Sequence, residues 1–95
     1  MTYDKFISRL EDILDELDEV GLTEELEELN ANLEDVLFLM SEADPDDGEF
    51  ADEMGDAAAE LADLAGEYRE IPETAALADE LSAIAAQLTM ALKNS

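Results

Sequence analysis

Apolar residues recur every three or four positions through most of this chain, which places them on one face of an α-helix. The first segment covers residues 3–20, between Thr2, a residue suited to capping a helix start, and Gly21, which can take the left-handed conformation at a helix end. Its apolar positions are Tyr3, Phe6, Ile7, Leu10, Ile13, Leu14, Leu17 and Val20. The spacing predicts a first helix over about residues 3–20.

A second helix is predicted over residues 24–43. Thr23 can cap its start, and Glu24 and Glu25 suit the positive end of the helix dipole in the first turn. Its apolar stripe consists of Leu26, Leu29, Leu33, Val36, Leu37 and Met40. The segment 44–48, Asp-Pro-Asp-Asp-Gly, has the composition of a turn and ends the helix.

The third helix, predicted over residues 49–70, has two stripes. The apolar residues at spacings of four and three are Phe50, Met54, Ala57, Leu61, Leu64, Tyr68 and Ile71. The small residues beside them are Ala51, Gly55, Ala58, Ala62 and Gly66. Small side chains permit another helix to approach closely. Because each helical glycine costs about 1 kcal/mol relative to alanine, we expect close packing to require Gly55 and Gly66.

The fourth helix is predicted over residues 73–93, beginning at Pro72 or Glu73, and it differs in charge from the other three. Residues 81–95 contain no acid and a single base, Lys93. A helix that is apolar or small on most sides is usually buried or forms an interface. We therefore expect it at the bundle centre or at a contact between two copies of the chain. Its apolar residues are Leu77, Leu81, Ile84, Leu88 and Leu92.

These four helices and their short connections predict an all-α, antiparallel four-helix bundle built from two helical hairpins. The 95 residues fit a single acidic helical domain, residues 1–95. A homodimer formed through the acid-poor C-terminal helix is a variant that this pattern leaves open.

The acidic residues dominate the composition. There are 28 Asp and Glu against 4 Lys and Arg, a net charge of -24, yet 47% of the residues are hydrophobic. Like-charge repulsion opposes a compact state, but disordered acidic chains contain far fewer apolar residues. We therefore expect a folded protein whose charge is its functional feature.

The same charge limits the partners and the location. Nucleic acids and acidic lipids would be repelled, so direct binding to either is not expected. We also expect no run of about 20 apolar residues that could cross a bilayer, and the acidic N-terminus is unlike a signal peptide. These features predict a cytoplasmic protein.

No catalytic motif competes with the charge. The chain has no His and no Cys, so it can form neither a nucleophilic triad nor a thiolate metal site. The acidic turn 44–49 places Gly48 and Glu49 at the fifth and sixth positions of a calcium loop, where the EF-hand pattern requires a ligand and then glycine. A solvated turn is the preferred interpretation. We expect no enzyme activity, no cofactor and no metal.

The densest acidic stretch is residues 11–19, which hold six acids in nine positions. At the rise of a helix this is about one negative charge per 2 Å, close to the roughly 1.7 Å per charge of duplex DNA. Further acids stand at the start of the second helix and in the 44–49 turn. The predicted partner-binding residues are Glu11, Asp12, Asp15, Glu16, Asp18, Glu19, Glu24, Glu25, Glu27, Glu28, Asp44, Asp46, Asp47 and Glu49.

In composition and predicted fold, the chain resembles the small acidic helical phage proteins that act as DNA mimics, among them anti-restriction and anti-CRISPR inhibitors. The resemblance implies competition with DNA or RNA for the basic channel of a host defence complex. Its partner would be a basic nucleic-acid-binding protein or ribonucleoprotein complex in the cytoplasm of an infected bacterium. Two alternatives remain: an acidic helical adaptor or chaperone for a basic protein, and a helical protein adapted to high salt.

Overall fold

A computed structural model describes residues 4–21 and 23–94 and confirms the predicted all-α four-helix bundle. A single 3₁₀ turn, Pro72–Thr74, precedes the last helix. The helices are α1 Asp4–Val20, α2 Glu24–Glu42, α3 Phe50–Arg69 and α4 Ala75–Lys93. Thr2, the predicted cap of α1, and Tyr3, its first predicted apolar residue, lie outside the described residues.

Local signals set the helix ends. Gly21 ends α1 in the left-handed region with φ +94, where a residue with a Cβ would be strained. The Thr23 side-chain oxygen accepts a hydrogen bond from the Leu26 backbone N–H at 3.3 Å, as predicted for the cap of α2. The α-helical start of α4 comes later than predicted. Pro72 begins the 3₁₀ turn instead, and within it Thr74 donates to the Tyr68 carbonyl at 2.7 Å.

The four helices occupy the corners of a square. α1 contacts α2 and α4, and α3 also contacts α2 and α4, so that α1 and α3 lie across one diagonal. The short connections make consecutive helices antiparallel. The α1–α2 connection and the 3₁₀ turn therefore share one end of the bundle, and the 43–49 turn lies at the other. The bundle measures 39 × 20 × 18 Å.

The core lies between the helices and is built from the predicted apolar stripes. Each helix contributes side chains that are almost completely shielded from solvent. They include Leu10, Ile13 and Leu17 of α1, Leu33 and Met40 of α2, Met54 and Leu61 of α3, and Leu81, Ile84 and Leu88 of α4. Burial of these side chains stabilises the bundle against the repulsion among its surface charges.

The middle of the small-residue stripe of α3 lies beside α4, the helix with which α3 packs most extensively. Ala58 and Ala62 line a shallow groove together with Ala85 and Ala86 of α4. However, a Cβ built on either Gly55 or Gly66 would meet no heavy atom within 4 Å. The prediction that close packing requires these two glycines is therefore wrong, since alanine would fit at both positions.

The position of α4 excludes one of its two expected places, the bundle centre, while a contact between two copies of the chain stays a prediction. The helix is not at the centre of the bundle but at one corner, packed against α3 and α1. Its outward side is open to solvent: Ala86 is exposed, and Met90 is 58% exposed. The absence of acids from the end of this helix therefore leaves a neutral face on the protein surface.

Within the described residues, the stretch Pro72–Lys93 is long and apolar enough to cross a membrane by length and composition. The expectation that no stretch approaches this limit was wrong. The core helix of a soluble protein passes the same test. About 33% of the apolar window is buried inside the structure, and its buried part includes Leu81, Ile84 and Leu88, which pack in the core of the bundle.

Candidate partner-binding surface

The acids of α1 form an exposed row opposite its buried side. Phe6, Leu10, Ile13 and Leu17 point into the core and leave at most 2% of their surface exposed. Because these residues occupy one side of the helix, the intervening acids are held on the other. The exposed acids of this row are Glu11, Asp12, Asp15, Glu16, Asp18 and Glu19. We refer to these six residues as the α1 array.

The acids at the start of α2 lie beside the end of the α1 array. The reversal at Gly21 and the cap at Thr23 bring the first turns of α2 next to the last turns of α1. The four predicted acids there, Glu24, Glu25, Glu27 and Glu28, are all exposed. Ten of the fourteen predicted residues therefore belong to one pair of neighbouring helices.

The remaining four predicted acids, those of the 44–49 turn, lie at the opposite end of the bundle from the start of α2. The 19 residues of α2 separate the two groups by about 28 Å along the helix axis. Two carboxylates of the turn also accept hydrogen bonds from the backbone of the turn itself. Asp44 Oδ1 accepts from the Asp46 backbone N–H at 2.9 Å, and Asp47 Oδ1 accepts from the Glu49 backbone N–H at 3.0 Å. The structure thus does not join this turn to the end of the α1 array.

α4 adds an acid that is not among the predicted partner-binding residues. Glu80 lines an open cleft together with Asp12, Asp15 and Glu16 of the α1 array. Arg9 lies in the same cleft and donates from Nη1 to Gln87 Oε1 at 2.8 Å. Glu80 is distant from α1 in the sequence, and only the packing of α1 against α4 brings them together.

The loop end of the bundle gathers further acids in the same way. Glu70 and Glu73, from the connection before α4, line a second cleft with Glu25 and Val20. Neither glutamate belongs to the predicted site. Their approach to α2 depends on the antiparallel order of the helices, and no local pattern indicates it.

Among the described residues, none of the α1 and α2 acids forms an ion pair, although Arg9 lies in the cleft beside Asp12, Asp15 and Glu16. Across residues 4–21 and 23–94, the one ion pair joins Arg69 Nη2 to Asp79 Oδ1 at 2.9 Å. Both of its side chains are largely exposed, so it contributes about 0–1 kcal/mol. The Lys5 ammonium lies 5.3 Å from the centre of the Phe6 ring. The acidic surface is therefore available to cations from another molecule.

The negative surface extends beyond the predicted site but does not cover the whole molecule. The outward side of α3 also carries exposed acids, which are Asp52, Asp56, Glu60, Asp63 and Glu67. In contrast, α4 has no acid after Glu80. Three helices thus present acidic faces, and the fourth leaves a neutral one.

In the described part of the chain, no group of three or more His, Cys, Asp or Glu side chains is arranged so that it could hold a metal ion. In the 44–49 turn, the hydrogen bonds from Asp44 and Asp47 to the backbone account for the conformation of the loop. These short-range bonds are typical of Asp in turns.

One aromatic side chain interrupts the acidic face of α2. Phe38 is 64% exposed, more than any other large hydrophobic residue described. Glu34, Asp35 and Glu42, at three or four positions from it, are exposed as well. The sequence interpretation did not include Phe38 in the site. The sequence does indicate that Phe38 is exposed, because this residue lies outside the apolar stripe of α2.

Comparison with known proteins gave no match. No protein-family model matches this chain, and no curated protein or solved structure shows significant similarity to it.

Proposed function

We propose that this protein is a nucleic-acid mimic that blocks the basic DNA- or RNA-binding channel of a host defence complex, of the anti-CRISPR or anti-restriction kind. The observation that carries the proposal is the α1 array: six exposed carboxylates without a cation partner among the described residues. The array continues onto the start of α2 and is joined from α4 by Glu80.

The spacing of the charges supports this function. Along α1 they repeat at about 2 Å per charge, near the linear charge density of duplex DNA. Like charges at neighbouring helix positions destabilise the helix by a few tenths of a kcal/mol per pair. A partner groove lined with Arg and Lys would relieve this repulsion and would also accelerate association.

The chemistry of the surface defines the partner. A basic nucleic-acid-binding protein or ribonucleoprotein complex is attracted to it, whereas nucleic acid itself and acidic membranes are repelled. In this function the protein acts by occupancy, without catalysis or a cofactor. It would act in the cytoplasm of the infected bacterial cell.

The test is charge reversal on α1. The full chain is immobilised and used to capture proteins from a bacterial lysate, with and without DNA as a competitor. The variant Asp12→Lys, Asp15→Lys, Glu16→Lys and Glu19→Lys should lose the capture that DNA competes with, while circular dichroism shows unchanged helix content. Capture by this variant that equals the wild type would refute the assignment of the α1 array.

A matched control comes from α3. The variant Asp52→Lys, Asp56→Lys, Glu60→Lys and Asp63→Lys changes the net charge by the same amount on a different face. It should keep the capture that DNA competes with. Equal loss in both variants would show that net charge matters and that the α1 array has no specific role.

The acids on α3 favour a second candidate, a helical protein adapted to high salt, because adaptation of this kind spreads charge over many exposed faces. Such a protein should lose its helical signal near zero salt and recover it at molar salt. An acidic adaptor or chaperone, the other alternative, would capture a basic protein that DNA does not displace.

A further inference from the structure

The exposed aromatic ring on α2 lies within an acidic surface. Phe38 is 64% exposed, more than any other large hydrophobic residue described. The face of an aromatic ring carries negative partial charge and attracts cations. An open ring among carboxylates therefore adds a second attraction for a cation of another molecule.

Helix geometry places the ring among carboxylates. Glu34 and Glu42 lie four residues before and after Phe38, and Asp35 lies three residues before it. Residues at these spacings are neighbours on the helix surface, with Cβ atoms about 5–6 Å apart. Acidic side chains therefore lie beside the open ring toward both ends of the helix.

We propose that Phe38, Glu34, Asp35 and Glu42 form a binding site for an arginine side chain of the partner protein. The proposal rests on the proposed function, because it names one contact within the same acidic surface. The guanidinium plane stacks on the Phe38 ring, and its N–H groups donate to the carboxylates around it.

Arginine fits this site better than lysine does. Its guanidinium is planar, stacks on aromatic rings and presents several N–H donors in a fixed fork that matches carboxylates. The lysine ammonium is more strongly hydrated and has no plane to stack. Arginine is also common in protein surfaces that bind nucleic acids.

The protein's own cations do not fill this role in the described part of the chain. Arg9 bonds to Gln87, and Arg69 pairs with Asp79. Lys93 lies in the last turn of α4, a helix that does not contact α2. Lys5, in turn, lies over the Phe6 ring of its own helix at 5.3 Å from the ring centre.

The experiment compares hexa-arginine with hexa-lysine as probes, which carry equal charge. The isotope-labelled full chain is titrated with each peptide, and the Phe38 ring and Met90 methyl resonances are followed by NMR. We expect the Phe38 resonances to report a higher affinity for hexa-arginine than for hexa-lysine, by at most the roughly fivefold that a complete exposed cation–π contact provides, because lysine also contacts an aromatic face but has no plane to stack on it. Met90, on the acid-free face, should show little change with either peptide.

Two variants separate stacking from charge, with helix content checked by circular dichroism. Phe38→Leu keeps an apolar side chain without the aromatic ring and should remove the preference for arginine. Glu34→Gln, Asp35→Asn and Glu42→Gln together should weaken the binding of both peptides. In Phe38→Leu, which lacks the ring, binding is followed through the backbone amide resonances of α2 around residue 38.

Several results would overturn the proposal. One is a preference for arginine that survives in Phe38→Leu. Another is that the Phe38 resonances stay fixed while those of the α1 array move. A third is that the Phe38 resonances broaden with protein concentration when no peptide is present, which would mean that a second copy of the chain covers the ring. If the preference holds but DNA does not compete with lysate capture, the arginine site stands and nucleic-acid mimicry fails.

Discussion

Tyr68 of α3 donates a hydrogen bond from its hydroxyl to Asn30 Oδ1 of α2 at 2.7 Å, inside the bundle. Tyr68 is fully buried, and Asn30 is 8% exposed. Within the described residues, no buried side-chain nitrogen or oxygen lacks a hydrogen-bond partner. This bond links α2, which presents part of the acidic surface, to the helix behind it.

Replacing Tyr68 by phenylalanine tests the energetic importance of this bond. The variant leaves the Asn30 oxygen buried without a donor, so we expect the free energy of unfolding to fall by about 1–3 kcal/mol. Urea unfolding followed by circular dichroism measures the change. Thr89→Val is the control, because it removes a partly buried hydroxyl that donates to the Ala85 carbonyl of the same helix. A loss no larger than that of the control would contradict the prediction.

The same tyrosine predicts a pH dependence. Burial, and to a smaller extent the charge of Glu67, raises the pKa of Tyr68 above its ordinary value of 10.0. Between about pH 10 and the folded-state pKa, the unfolded chain loses the hydroxyl proton while the folded chain retains it. The stabilisation by this group is therefore complete below pH 10 and decreases above it by about 1.4 kcal/mol per pH unit.

Urea unfolding of the wild type and of Tyr68→Phe between about pH 9 and pH 11 measures this effect, because other titrating groups are common to both proteins. The difference in stability between them should shrink as the pH rises. Curves that stay parallel across this range would refute the assignment to Tyr68.

Replacing glycine by alanine should have opposite effects on the free energy of unfolding at positions 55 and 21. Gly55→Ala in α3 should raise the free energy of unfolding by about 1 kcal/mol, because the Cβ meets open space and alanine favours the helix. Gly21→Ala should lower it by about 1 kcal/mol, because φ is +94 there. Denaturant unfolding of the two variants measures both values. Destabilisation by Gly55→Ala would restore a packing role for that glycine.

The dense acids predict a response to salt. Raising sodium chloride from about 0.05 M to 0.5 M shortens the screening length and weakens repulsion between exposed carboxylates. The thermal midpoint should therefore rise. Glu11→Gln, Glu16→Gln and Glu19→Gln together remove three charges from the α1 array and should reduce this dependence. A thermal midpoint that does not change with salt would show that repulsion among these carboxylates does not destabilise the folded protein.

The helices and much of the core could be predicted because their signals are local. Leu10, Ile13 and Leu17 fall on one side of a helix whatever that helix packs against. The cap at Thr23 and the left-handed Gly21 likewise depend on bonds within a few residues. The exposed position of the α1 array follows from the same periodicity, since one side of the helix was already assigned to the core.

The sequence by itself thus determined how many helices form, where most of them end and which side of each is buried, because backbone hydrogen bonds and side-chain periodicity act over short distances. Only the tertiary structure decided which charges are neighbours: it brought Glu80 to Asp12 and Asp15 and left the 44–49 turn at the other end. It also showed that Gly55 faces open space and that α4 keeps an exposed neutral side. These relationships depend on which helices pack together and how each is rotated, and a one-dimensional pattern does not contain that information.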